Sequence, residues 1–290
     1  MSYAGNYADF PDYIIRITKE IWEDRGIETL NRTYAADIPV RSPMGIQRGN
    51  QAVIASTMAT INEFPDRQLL AEDVIWSEDA AHGHLSSHRL LTTATHSRDG
   101  QFGPATGKRW TVRVIADCAA DGATIYGDDA PPFTPAMDVD GGYHGRGNAN
   151  PWGQRYADTL TRIMDTDFAH ILTGYDRAVI GEYAGARQAI GREAVTEFWV
   201  GLRSAIPNAE FKIHHQIGMD GDMLSPRAAI RWSLDGLHEG WGSFGKPTGA
   251  PVHVMGISHA EFGPWGLRRE YALYDEVAIW KQILLHVGAP

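Results

Sequence analysis

The apolar positions of this 290-residue chain switch from helical to alternating spacing, and the chain runs through that switch twice. Residues 12–34 and 152–175 each open a half as an amphipathic segment. In the second, Ala157, Leu160, Ile163, Met164, Phe168, Ile171 and Leu172 recur at helical spacing. A short extended piece and a glycine turn follow, then a second helix entering at Gly49 or Gly191. Each of these helices ends ahead of a proline, Pro65 or Pro207, because proline disfavours helical geometry in the residue before it. The remainder reads as strand: in the second half 210–217, 227–238, 252–262 and 267–274, divided by Gly, Pro and Asp turns. A last helix is predicted over 275–286, carrying Val277, Ile279, Trp280, Ile283 and Leu284. Helices first and then a meander of long antiparallel strands predicts an α+β fold. A strongly curved sheet around a helix makes a cone with a pocket at its mouth.

The two halves match in one register. Gly49-Asn50-Gln51-Ala52-Val53 corresponds to Gly191-Arg192-Glu193-Ala194-Val195, and Phe64-Pro65-Asp66 to Ile206-Pro207-Asn208. His96 corresponds to His238, and Phe102-Gly103 with Thr106-Gly107 to Phe244-Gly245 with Thr248-Gly249, always 142 positions apart. Four matches at one offset predict a tandem duplication. The expected organisation is a first copy over 1–130, a linker over 131–151 and a second copy over 152–290. The linker is rich in Gly, Pro, Asp and Asn, and Pro131, Pro132 and Pro135 can neither continue a central strand nor fill a helix interior. The first copy is therefore expected to lack its terminal helix.

Several motifs of the second half resemble a known family. They are the strand pair Arg231-Trp232, the turn Gly236-Leu237-His238-Glu239-Gly240, and Pro247-Thr248-Gly249. Gly256-Ile257-Ser258 follows, then Leu267-Arg268-Arg269-Glu270-Tyr271 with Asp275 behind it. Together they resemble the SnoaL-like polyketide-cyclase branch of the nuclear transport factor two superfamily. The first copy matches less fully, through Ala94-Thr95-His96 and the F-G-x-x-T-G pattern. After Tyr126 it departs into the proline-rich segment, where the family has a glutamate and a closing aspartate. The resemblance implies two cone-shaped α+β barrel domains, paired face to face as a pseudo-dimer within one chain, with homodimer formation as a further option. It also implies cofactor-free general acid/base chemistry of the cyclase, isomerase, dehydratase or lyase type on a small hydrophobic carbonyl compound. The superfamily contains pure binding modules too, so a non-catalytic protein holding a hydrophobic ligand is the alternative.

Composition narrows the partners. With 26 basic and 36 acidic residues the formal charge is −10, which disfavours nucleic acid and anionic membranes. No apolar run approaches the roughly 20 residues of a membrane span, and the first residues lack a basic-then-apolar export signal. A cytoplasmic protein is the expectation. Cys118 is the chain's one cysteine, which excludes an internal disulfide and a cysteine-based zinc site. His214 and His215 are adjacent, so in a strand they point to opposite faces and cannot chelate together. No metal and no cofactor are expected.

Strand phase selects the candidate residues. In 252–262 one face holds His253, Met255, Ile257, His259 and Glu261, a mixture of apolar wall, imidazole and carboxylate that suits a pocket lining. His259 is the candidate general acid/base, since imidazole titrates near neutrality. The plainer reading is a half-solvated histidine paired with Glu261. Asp275 falls at the family's carboxylate position and equally well caps the last helix. Glu270 is either a base inside the cone or a partner of Arg268 or Arg269 outside it. Trp232 is expected as an aromatic wall and His238 as the holder of the turn before Gly240. In the first copy the candidates are Trp76, His88, Arg113 and Asp117, with Asp117 at the position of His259 and Arg113 able to pair with it.

Overall fold

The computed structural model describes residues 7–43, 45–79, 83–120 and 146–288. It divides into two compact units, one of Met1–Arg41 with Ile46–Pro131 and one of Ser42–Gly45 with Pro132–Pro290. Most of the expected linker and the end of the first copy lie outside the described residues.

In the first unit, α1 (Phe10–Trp22) starts at Asp9, whose side chain accepts from the Asp12 N–H at 2.8 Å. Its buried stripe of Phe10, Tyr13, Ile14, Ile17 and Ile21 is spaced to face one side of a helix. Then come α2 (Ile27–Thr33), the short ladder of β1 (Pro39–Ser42) and β2 (Gly45–Arg48), and α3 (Asn50–Glu63). Three antiparallel strands follow in spatial order, β3 (Gln68–Asp79), β4 (Gly83–Thr95) and β5 (Arg109–Ala120). The α1 stripe packs with Leu30, Ile38, Val53 and Ala120 into the core of this unit.

The second unit opens with α4 (Pro151–Met164), where Asn150 accepts from the Trp152 N–H at 2.9 Å and Pro151 sits in the first turn. The single opening segment expected over 152–175 is broken in two, with Thr166 at φ 68° between α4 and α5 (His170–Gly174). Next come β6 (Tyr175–Tyr183), β7 (Arg187–Ile190) and α6 (Gly191–Ala205). The long meander is β8 (Glu210–Gly221), β9 (Leu224–Leu237), β10 (Pro251–Gly263) and β11 (Gly266–Tyr274), closed by α7 (Glu276–Val287). The sheet order is β7-β6-β11-β10-β9-β8. Only the β6–β11 pair in it is parallel, which places the end of the first hairpin beside the last strand. Curved sheets and separate helices make the protein α+β.

Register decides which face of β10 joins the core of the second unit, and it is the even-numbered one. Val252, Val254, Ala260 and Phe262 join the core with Ile230, Trp232 and Leu234 of β9. The odd-numbered residues, His259 among them, therefore project from the reverse face of the sheet. The even face also carries Gly256 and Ser258. Both are there for Trp232. Gly256 lies opposite Trp232 in the ladder, and a Cβ on it would meet the indole at 2.2 Å. The Ser258 hydroxyl accepts from the Trp232 indole N–H at 2.8 Å.

Gly256→Ala should therefore lower the unfolding free energy by about 1–3 kcal/mol through overpacking against Trp232. Gly221→Ala, where a Cβ meets nothing within 4 Å, should change it by less than about 0.5 kcal/mol. Urea denaturation of the two variants checks the contrast.

Candidate functional site

The core of the second unit holds one ionisable carboxyl group, that of Glu270 on β11, and it is fully buried. Four donors converge on it. The Tyr156 hydroxyl from α4 and the Tyr175 hydroxyl from β6 donate to Oε1 at 2.9 and 2.8 Å. The Tyr183 hydroxyl and the Trp199 indole N–H donate to Oε2 at 2.5 and 3.1 Å. A carboxylate offers about four lone-pair positions, so each oxygen has its two donors. Tyr156 is also hydrogen-bonded by Ser258, the residue that accepts from Trp232, so the network runs from β9 through β10 and α4 to β11. Phe198 stacks on Tyr183 with ring centroids 3.8 Å apart, and Trp199, Trp232 and Tyr274 extend an aromatic lining around the group.

Burial raises the pKa of Glu270 above the ordinary carboxylate value, against the opposing pull of the four hydrogen bonds. Burial, reinforced by the neighbouring Glu270 charge, lifts Tyr156, Tyr175 and Tyr183 well above the usual tyrosine value. The three phenols are thus neutral donors at any physiological pH, while the carboxyl group between them is the one able to change charge.

A second grouping lies where α7 packs on β10. Asp275, Met255 and His253 line one cavity of about 160 Å³. Asp275 caps α7, its Oδ1 accepting from the Val277 and Ala278 N–H groups at 2.8 and 3.1 Å. His253 was read as part of a strand face and not as a site residue, yet its Nδ1 lies 2.6 Å from Asp235 Oδ1. The register that places His253 opposite Asp235 is what the sequence could not supply.

The remaining expected residues are dispersed. His259 is 1% exposed, so it is not the half-solvated histidine of the plainer reading. Its expected partner Glu261 instead accepts from Arg268, with Nε to Oε1 at 2.9 Å. Ile257 is half-buried on the same reverse face, where the Arg231 guanidinium reaches the Met255 sulfur at 3.0 Å. Trp232 is buried in the core and His238 holds its turn: its N–H reaches the Ala250 carbonyl at 2.8 Å, and its Nδ1 lies 3.0 Å from Thr248 Oγ1.

In the first unit, Trp76 packs edge-on against Phe10. His88 is buried, and desolvation pulls its pKa down to about 4 despite the opposing charge of Asp117. Arg113 forks onto Glu72, at 2.8 and 2.9 Å. Glu72 sits at a β-bulge between Ala71 and Asp73, a feature without a sequence signature here. Among the described residues, no cluster of three or more His, Cys, Asp or Glu is placed to hold a metal ion. No described helix is long and apolar enough to cross a membrane.

A curved antiparallel sheet closed over helices, with a buried carboxyl group among aromatic donors, defines the second unit as a cone-shaped α+β domain. Residues 153–268 match the family model of the SnoaL-like domain. Similar solved structures include a candidate SnoaL-like polyketide cyclase from Jannaschia sp. CCS1, 15% identical, covering 48% of this chain and 97% of that one with a TM-score of 0.40. A candidate polyketide cyclase from Acidithiobacillus ferrooxidans is 14% identical and covers 49% and 99%, with a TM-score of 0.41. A SnoaL-like polyketide cyclase from Agrobacterium tumefaciens is 21% identical and covers 45% and 96%, with a TM-score of 0.35. No curated protein matches the chain.

Two outcomes follow from the site. Since the folded pKa of Glu270 is raised, the stability it contributes is fully present below the ordinary carboxylate value and is lost as pH rises through the folded pKa. The melting temperature of the wild type should accordingly fall relative to Glu270→Gln as pH is raised from about 4 toward neutrality. For Asp275, Asp275→Ala should cost about 0.5–2 kcal/mol while Asp275→Asn, which keeps a capping oxygen, should cost far less. Chemical denaturation measures that pair.

Proposed function

We propose that the second unit is a cofactor-independent general acid/base catalyst acting on a small hydrophobic carbonyl compound within the cone, with Glu270 as the proton-carrying group. The observation that carries this reading is the one buried carboxyl group among the described residues of the second unit, raised in pKa and ringed by neutral phenols in an aromatic interior. Such a group is a stronger base than a solvated carboxylate, and the phenols are the donors that a developing enolate needs.

In the reaction envisaged, the substrate carbonyl oxygen takes over one or more of the tyrosine hydroxyls. Glu270, relieved of those donors, removes the proton from the carbon next to the carbonyl. The electron pair moves onto the carbonyl oxygen, which the released hydroxyls stabilise. Glu270 then returns the proton, to the far carbon of a conjugated enolate in a double-bond isomerisation or to the new alkoxide in an aldol-type closure. No redox partner is needed. Entry of the substrate requires the packed aromatic lining to open.

A binding role is the second reading, favoured by the fact that all four acceptor positions of Glu270 are filled. In that reading Glu270 fastens the cone and the first unit serves as a partner domain. The repeated turn supports a tandem duplication: His96 and His238 each lie beside a threonine, at 3.2 and 3.0 Å. Gly107 and Gly249 each donate to that histidine's carbonyl at 2.9 Å. A cytoplasmic setting fits the acidic composition.

Deuterium exchange at the α-carbons of a panel of apolar methyl and cyclic ketones, followed by NMR, tests the catalytic reading. At least one ketone should exchange faster with the wild type than in buffer, and Glu270→Gln should reduce that rate by at least about 100-fold with the fold retained. A panel in which nothing exchanges above buffer, or a Gln variant as fast as wild type, overturns it.

A further inference from the structure

The hydrogen bonds that reach Glu270 through Tyr156 run in one direction, and Ser258 sets that direction. The Trp232 indole can only donate, and its N–H gives to the Ser258 hydroxyl at 2.8 Å. Ser258 is fully buried on β10, so its own proton needs an acceptor within the protein, and it makes that bond to Tyr156. The Tyr156 hydroxyl, taking the serine proton on its oxygen, gives its own to Glu270 Oε1 at 2.9 Å. Each group thus donates to the next, from Trp232 through Ser258 and Tyr156 to the carboxyl group. Turning Tyr156 toward Ser258 would leave the serine proton buried without an acceptor. A hydroxyl whose oxygen accepts a bond becomes the stronger donor, because the chain polarises in one sense. The Ser258 bond acts on Tyr156 in that sense, against the burial and the Glu270 charge that hold the phenol proton in place.

The fold does not require this chain of bonds. In the first unit, 142 positions earlier, Leu90 stands for Trp232, Val114 for Gly256, Ala116 for Ser258 and Ile14 for Tyr156. Leu90 and Val114 are ladder partners there, as Trp232 and Gly256 are in the second unit. The same strand pair therefore forms with apolar side chains at all of these positions. In the second unit a glycine admits the indole, the indole fixes the serine, and the serine proton goes to the phenol that serves Glu270.

We propose that Ser258 is a positioning residue of the Glu270 site: anchored by the Trp232 N–H, it aims the Tyr156 hydroxyl at Oε1 and strengthens it as a donor. Its hydrogen bonds go to Trp232 and Tyr156, so it acts on Glu270 through the phenol. Its part in a reaction rests on the reading of Glu270 as the proton-carrying group, whereas the hydrogen-bond chain does not.

The test is a carbon-13 NMR titration of the full-length protein labelled at its glutamate side chains, with the Glu270 signal assigned by its loss in Glu270→Gln. The groups that face Glu270 are Tyr156 from α4, Tyr175 and Tyr183 from β6 and Trp199 from α6. Ser258→Ala weakens Tyr156 as a donor and leaves the carboxylate less stabilised. The Glu270 midpoint should move upward, its acid dissociation constant falling about twofold. Ser258→Cys keeps the volume with a weaker donor and should move the midpoint upward by less, which decides the matter if the alanine variant does not fold. In a Tyr156→Phe background Ser258→Ala should add nothing, whereas in Tyr175→Phe it should add about the same change as in the wild type. A midpoint unmoved by either serine variant, or moved equally with and without the Tyr156 hydroxyl, would overturn the proposal. The titration needs no substrate. A cycle that holds while no ketone exchanges overturns the catalytic reading alone, and exchange that persists while the cycle fails overturns this one alone.

Discussion

A carboxylate withdrawn from water needs a donor for each lone pair, and the architecture of the second unit is arranged around meeting that need for Glu270. The donors come from three elements: Tyr156 from α4, Tyr175 and Tyr183 from the two ends of β6, and Trp199 from α6. Leaving one buried donor or acceptor without a partner costs about 1–3 kcal/mol, so these elements are coupled through one side chain of β11. The parallel pairing of β6 with β11 belongs to the same arrangement, since it sets Glu270 opposite Gly181, between Tyr175 and Tyr183. Trp232, Gly256 and Ser258 form the adjoining layer and pass the hydrogen bonding on to Tyr156.

The two units treat a shared feature differently. Both hold a histidine at the end of a long strand by the same backbone bonds and the same threonine neighbour. In the first unit the other ring nitrogen of His96 faces buried Glu63 at 2.9 Å, while Ala205 stands at the matching position of the second. The first unit sets a buried carboxyl group against the imidazole. In the second unit, desolvation lowers the pKa of His238. The inner face of β4 in the first unit also carries more polar groups, with Ser86 and His88 3.4 Å apart, than the aromatic core of the second.

Elements of the second unit were legible in the chain because their signals are local. The predicted strands at 210–217, 252–262 and 267–274 lie inside β8, β10 and β11, the one at 227–238 overruns β9 by His238 alone, and the last helix starts at its Asp275 cap as the N-terminal rule requires. Glu270 was one of two carboxylates singled out on β11 and its flank, but the sequence left its side of the sheet open. The two faces of β10 are told apart only by packing: Gly256 and Ser258 on the even face accommodate the Trp232 indole, while His253 and Met255 on the odd face line the cavity against α7.

The sequence by itself determined the order and approximate positions of the long strands and the last helix of the second unit, because periodicity, caps and turn residues act over a few positions. Only the tertiary structure decided which groups meet. The donors around Glu270 are up to 114 residues away along the chain, and the Asp235–His253 pair depends on cross-strand register. No local signal encodes such pairings, since a one-residue slip in register would turn each of these side chains to the other face of the sheet.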